Sequence, residues 1–551
     1  REPGDQFGGD VLGEYASYNT YRLGVKVNGP LVDDVLSFGL AAQQKSSDGY
    51  IENLHNGDDK AADLDHKNAR FNLRWKPSER LTLRLIADVM ETDDHVAGYR
   101  YIDGPYKTDA YEVQHDADQT SEQNANSQAL RVQYEADAFT VLSVTSRIDY
   151  EHDYVNEADL WNDPENRTES IFSYEDRQWS QELRFSSADD KRAFKWLLGF
   201  YGFREETDID YNYYVVNMPS WFMANQSYIN PITEVTTKGV AGFGQGTYTL
   251  LDRLHLTAGM RFDHQRLDGR VTGTYLDMKN FGYANYDLDE ELEYDEWLPK
   301  ASMAYDFSDT VMAYLSTAKG YTTGGFNYCQ SPSDQTLTYG PEYTWNYEIG
   351  LKSQWLDRRI EANLALFYID ITDKQISEVD ADTATVAIKN AAEAHSQGLE
   401  LSLTARPVSP LEIRAGLGYT EAEFDDFTAL EWNSTNTALV RNDYTGNDLP
   451  YAPKFTYSLA AQYRFPLGIF IRAELYGSDR FYGDYGNTAK QDAYEIVNLR
   501  VGYETEHYDV VLWGENVFGE EYLTYVTPYG SSNIGVDGAP CIVGATLRYR
   551  F

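Results

Sequence analysis

Residue types that do chemistry are present in this chain, but their spacing argues against catalysis. Nine histidines are spread over 551 residues without an HExxH pair, and the two cysteines, Cys329 and Cys541, cannot build a multi-cysteine zinc site. Gly320, Gly324 and Gly325 lack the following Lys-Ser/Thr pair that a phosphate loop needs. The expectation is a protein that is not an enzyme and uses no cofactor.

Two other groupings remain. Asp287, Asp289, Glu290, Glu291, Glu293, Asp295 and Glu296 crowd one stretch, with smaller acidic groups at Asp58, Asp59, Asp63, Asp65 and at Glu421, Glu423, Asp425, Asp426. Carboxylates at this density are hard ligands for Ca²⁺, with Asp287, Asp289, Glu290 and Glu291 as candidates. The spacing is not that of an EF-hand, and solvated, mutually repelling charge is the competing reading. Aromatic residues gather beside arginine at Tyr99, Arg100, Tyr101 and Tyr106 and at Arg480, Phe481, Tyr482 and Tyr485, and a third cluster comprises Tyr211, Tyr213, Tyr214, Trp221 and Phe222. Rings pack on an organic scaffold while guanidinium answers negative charge; the alternative is an aromatic girdle at a lipid interface.

The elements that must carry these groups are strands. From Ile469 one face reads Ile469, Ile471, Ala473, Leu475 and the other Phe470, Arg472, Glu474, Tyr476. The same split of oily against wet recurs from Leu81, from Leu411 and from Phe455, and helical periodicity is scarce. Alternation alone fits a soluble sandwich as well. The connections discriminate, because short turns such as 76–79, 135–138, 250–253, 307–309, 356–358, 406–410, 466–468 and 504–507 alternate with long polar connections. The long ones fall around 93–123, 151–169, 205–231, 267–292, 320–341, 426–450 and 522–537. Strands that reverse across a membrane, with tight turns on one side, sort their loops in this way. The reading is an all-β, 22-stranded antiparallel transmembrane β-barrel with short periplasmic turns and long extracellular loops. Arg84, Asp88, Glu412, Arg414, Arg472 and Glu474 face a lumen too wide for side chains to fill.

Composition agrees with that reading. Acidic residues number 88 against 46 basic ones, a net charge of −42 that excludes general nucleic-acid binding. Mean hydropathy is −0.55 and no apolar run is long enough for a membrane helix, whereas barrel strands need only ~9–11 residues each. Cys329 and Cys541 both fall on the loop side; an oxidising exterior permits a disulfide, though only a folded-in loop could bring the sulfurs together.

The last strand alternates Val543, Ala545, Leu547, Tyr549 to a terminal Phe551, which resembles the assembly signal of bacterial outer-membrane barrels. The resemblance widens with Lys319-Gly320-Tyr321-Thr322-Thr323-Gly324-Gly325-Phe326-Asn327, with Trp345-Asn346-Tyr347-Glu348-Ile349-Gly350-Leu351-Lys352, and with Asn516-Val517-Phe518-Gly519. In order and spacing these are similar to TonB-dependent outer-membrane receptors of the iron-complex type. The resemblance implies a bacterial outer-membrane location, lipid and lipopolysaccharide as surroundings, and uptake of a ferric siderophore or similar metal chelate. Residues 1–551 would be the barrel portion, with the amino-terminal plug and TonB box absent and TonB engaged only through that plug. Candidate ligand residues are then Tyr99, Arg100, Tyr101, Tyr211, Tyr213, Tyr214, Trp221, Tyr321, Phe326, Arg480, Phe481 and Tyr482. Vitamin B12, an oligosaccharide or another nutrient is the first alternative ligand, and a passive diffusion porin is the alternative from another class.

Overall fold

Period-two alternation builds the whole molecule. The structure, a computed structural model, describes residue 4 and residues 6–160, 168–188, 193–215, 227–277, 282–327, 337–379, 386–432 and 438–551. Within them 22 long antiparallel strands follow one another in chain order and form a closed barrel. The first strand, Gly8–Ala16, pairs with the second, Thr20–Val32, and also with the last, Ile542–Arg550, in the register Gly13↔Leu547. Closure leaves the barrel wall without an edge, the condition for a sheet to sit in lipid.

The expected faces are the observed ones. In the strand Ile469–Ser478, Ile471 is 47% exposed while Phe470 and Glu474 are each 6% exposed. Leu512, Val543 and Leu547 are likewise exposed, as side chains directed at lipid must be. The opposite face carries charge that is compensated along the wall. Glu412 lies 2.6 Å from Arg406 and 2.7 Å from Arg414. Glu474 lies 2.6 Å from Arg472 and 3.7 Å from Arg500. Arg84 donates to Asn72 at 2.9 Å, and Asp88 pairs with Arg70.

Turns at the narrow end are tight for stereochemical reasons. Leu251 and Asp252 link their hairpin with φ of 52° and 57°, the left-handed pair whose twist matches flanking strands. Gly468 has φ of +83°, and a Cβ there would meet the Glu504 carbonyl oxygen at 2.5 Å, so glycine is required on two counts.

The other end departs from expectation at 267–292, which the composition presents as a long polar connection. It is instead the upper half of a hairpin, Leu254–Asp277 with Gly282–Ser308, paired up to Asp277↔Gly282. The acids Asp287, Asp289, Glu291 and Glu293 occupy alternate positions on one face. Leu288, Leu292 and Tyr294 take the other face and pack against buried Leu267, Val271, Phe326 and Leu337. A strand whose wet face is entirely acidic looks like a loop to composition, while its period still marks it as a strand. Strands also extend into the expected connections at 151–169 and 205–231, ending at Glu157 and Val215.

Candidate functional site

At the long-loop end, connections from distant parts of the chain join into one lattice. Tyr99–Tyr101, a short strand in the connection 96–119, pairs with Ser532–Asp537, which pairs with Leu523–Tyr529, making a three-stranded sheet above the barrel wall. Arg100 locks it. Its Nε and Nη2 each donate to a different Asp537 oxygen at 2.7 Å, and Nη1 donates to the Thr108 carbonyl at 3.0 Å. The Tyr111 amide adds a further bond to Asp537 at 2.9 Å, and both partners of the ion pair are buried. Asp103 accepts from the Asn533 amide at 2.7 Å and from its side chain at 2.6 Å, fastening the same two connections a second time.

Aromatic rings run through this lattice. Tyr525 meets Tyr99 edge-on at 5.5 Å and stacks on Tyr451 at 5.6 Å, and Tyr451 contacts Phe481 at 5.7 Å. Tyr101 touches Tyr106 at 5.6 Å and Tyr529 at 6.2 Å. Burial, with nearby tyrosines and Asp159, pushes the Tyr101 and Tyr529 phenols up to about 12, so both stay neutral donors, to the backbone carbonyls of Asp159 and Ala158 respectively. Rings from four connections therefore lie side by side at the mouth.

Several candidate residues have other duties. Arg100, expected to answer a ligand's charge, is consumed by Asp537. Phe326 is buried with Leu267 and Val271, its ring against Gly269, where a Cβ would sit 2.3 Å away. Phe481 is buried with Ala489 and Val526. Tyr321 accepts from Gln265 at 2.8 Å and reaches Asp263 at 3.5 Å, inside a polar group that includes Glu296, Lys319 and Tyr343. Arg480 lies over the Tyr482 ring at 5.9 Å. Tyr211, Tyr213 and Tyr214 belong to the strand Phe194–Val215 rather than to a loop interior, with Tyr211 at 6.4 Å from Phe172. Trp221, Phe222 and Cys329 lie outside the described residues, and Cys541 is half-buried just before the last strand.

The acidic candidates are strand residues, not loop ligands. Asp287 receives both Nε and Nη2 of Arg270 at 2.9 Å, and Glu291 pairs with Arg266 at 2.5 Å. Glu290 falls on the opposite face from Asp287, Asp289 and Glu291, because neighbours on a strand point apart. Among the described residues no group of three or more His, Cys, Asp or Glu is placed to hold a metal.

Sequence reasoning missed Asp537, Tyr451 and Tyr525, whose partners are remote in the chain, and it missed a polar cavity of about 520 Å³. That cavity is lined by Asn53, His55, His95, His115 and Asp118, among others. Asn53 joins its two walls, donating to the His115 carbonyl at 2.9 Å and accepting its amide at 3.2 Å. Burial lowers the His115 imidazole to about 4, although a bond to the Tyr99 backbone opposes it. His95 feels burial too, but Asp63, 2.6 Å away, and Asp118 hold it raised. A folded-state value below the ordinary 6.5 means that an opened loop binds a proton which the closed loop refuses. Closure is then fully stabilised above about 6.5 and weakens as pH falls toward 4. Raised His95 and raised Glu157, which accepts the Ala117 amide at 2.7 Å, favour closure in acid and oppose this contribution. Going from pH 7.5 to pH 5, protease cleavage within 96–119 should therefore shift toward faster cutting in the parent chain relative to His115→Gln, and an identical pH dependence in the two would remove His115 as a source.

Residues 4–517 match the family described as TonB dependent receptor-like, beta-barrel. The pesticin receptor of Yersinia pestis is 22% identical over 98% of this chain and 76% of its own length. The ferric-pyoverdine M114 receptor PbuA of Pseudomonas sp. strain M114 is 24% identical over 57% of this chain and 36% of its own length. Among solved structures, the ferric yersiniabactin uptake receptor FyuA of Yersinia pestis superposes with a TM-score of 0.85 at 20% identity, covering 100% of this chain and 81% of that one. The siderophore receptor PiuA of Acinetobacter baumannii gives 0.82 at 15% identity, with 100% and 82% covered.

Proposed function

This chain belongs to the TonB-dependent receptor β-barrels of the bacterial outer membrane, and from that premise we propose that it admits a ferric siderophore or a closely similar metal chelate. The observation that carries the reading is the ring lattice Tyr99, Tyr525, Tyr451 at the extracellular mouth. Rigid aromatic faces from three connections are what a chelate with an organic scaffold packs on, and the Arg100–Asp537 pair holds them in place before a ligand arrives. The names of the relatives, receptors for ferric-pyoverdine and ferric yersiniabactin among them, support the same ligand class. In this reading residues 1–551 supply the barrel of the receptor, TonB energises uptake in the intact receptor, and no side chain has a catalytic role.

The test is direct titration of the folded chain in detergent, read by quenching of its own tryptophans. Ferric hydroxamate or catecholate chelates should bind saturably, and Tyr525→Ala should weaken binding by about fivefold, since it removes ring contacts worth ~1 kcal/mol. Saturable binding of a corrinoid or an oligosaccharide, with no response to any ferric chelate, would overturn the assignment.

A further inference from the structure

The location of the excess negative charge bears on which chelates can enter. Most described loop cations that could face a ligand are already engaged with acids of the loop end, Lys107, exposed on the connection 96–119, being an exception. Arg100 is held by Asp537, Lys60 by Asp48 at 3.1 Å, Lys454 by Asp448 at 3.2 Å, Lys490 by Asp492 at 2.7 Å, and Arg441 lies 3.6 Å from Glu378. Arg480 is spread over the Tyr482 ring. Acids are in surplus on the same connections. Asp58, Asp59, Asp426, Asp443, Glu520 and Glu521 are exposed, and none has a cation within ion-pair distance among the described residues.

We infer that this mouth selects neutral or cationic metal chelates and discriminates against polyanionic ones, an inference that rests on the ferric-chelate reading above and specifies its ligand class. Two independent features point the same way. The surplus carboxylates place a negative potential over the entrance, which raises the local concentration of cations and lowers that of anions. The Tyr99, Tyr451 and Tyr525 rings present negative π-faces, which attract cationic groups and accept neutral scaffolds but offer an anion nothing. A trianionic chelate would need guanidinium groups to answer its charge. Recruiting Arg100 for that purpose would leave the Asp537 carboxylate buried and uncompensated.

Three iron probes of matched size test this on the full chain in detergent: a ferric tris-catecholate trianion, a ferric tris-hydroxamate bearing a free ammonium, and the same hydroxamate acetylated to neutrality. The cationic and neutral chelates should bind at least about tenfold more tightly than the trianion, with added salt weakening the cation and strengthening the trianion. The variant combining Glu520→Gln, Glu521→Gln, Asp58→Asn and Asp59→Asn should narrow the gap and reduce both salt slopes. Tightest binding by the trianion, weakened by salt, overturns this inference and leaves the ferric-chelate assignment standing. A preference that survives in the variant with its salt slopes intact overturns it equally, because charge at the mouth is then not the cause. Failure of all three iron probes overturns the assignment itself.

Discussion

Replacing Asp537 with alanine will unfasten the loops at the mouth while leaving the barrel beneath them intact. The substitution strands a buried guanidinium and removes the acceptor for the Tyr111 amide, a loss of ~3–5 kcal/mol for breaking a buried ion pair from one side. The fastenings left between these two connections are few, chiefly the two Asn533 bonds to Asp103 and the short pairing of Tyr99–Tyr101 with Ile534–Val536, so the penalty falls on a small set of contacts. Proteolysis should therefore cut within 96–119 and 523–537 at least about a hundredfold faster, and chelate affinity should fall with it because Tyr99 and Tyr525 lose their common frame. The barrel should still migrate as a compact, heat-modifiable band on gels. The double replacement Arg100→Met with Asp537→Leu separates charge from shape: it removes both charges and should recover much of the protection. Unchanged protease resistance in Asp537→Ala would show that the pair does not hold the loops.

Deleting the last strand, Ile542–Arg550, together with Phe551 should prevent assembly outright. That strand pairs with Gly8–Ala16 on one side and with Tyr508–Glu515 on the other, so its removal opens two edges in the wall. Each backbone group left bare in lipid costs several kcal/mol, a total that no loop contact offsets. The seam ends in two bonds between Gly9 and Phe551, at 3.0 and 3.1 Å, with the Phe551 ring so close that a Cβ on Gly9 would stand 2.7 Å from it. The truncated chain should show no heat-modifiable band and no protease-resistant core in liposomes. A compact truncated barrel would mean that the neighbouring strands can close without it, contrary to the register.

How far the sequence could be read follows from the range of each interaction. Side-chain alternation is a property of neighbouring residues, so Ile469, Ile471 and Leu475 against Phe470, Arg472 and Glu474 declare both a strand and its lipid face without any knowledge of partners. Turn positions such as 250–253 and 466–468 are local for the same reason. The hairpin above Pro299 was missed because its outward acids suggest a loop, and the value of Leu288 and Leu292 appears only once Leu267, Val271 and Phe326 lie opposite them.

Site residues were legible as types and not as roles. Tyr99 and Tyr101 reach the mouth as their clustering suggests, yet Arg100 between them serves Asp537, 437 positions away in the chain. Phe326 and Phe481 proved to be packing residues for equally non-local reasons. By itself the sequence determined strand, face, strand number and the closing of a barrel in the membrane, because period two and loop length are local and repeat along the chain. Only the tertiary structure decided which charges are available to a ligand, because whether an arginine is consumed depends on the carboxylate that folding brings to it, and no pattern along the chain records that meeting.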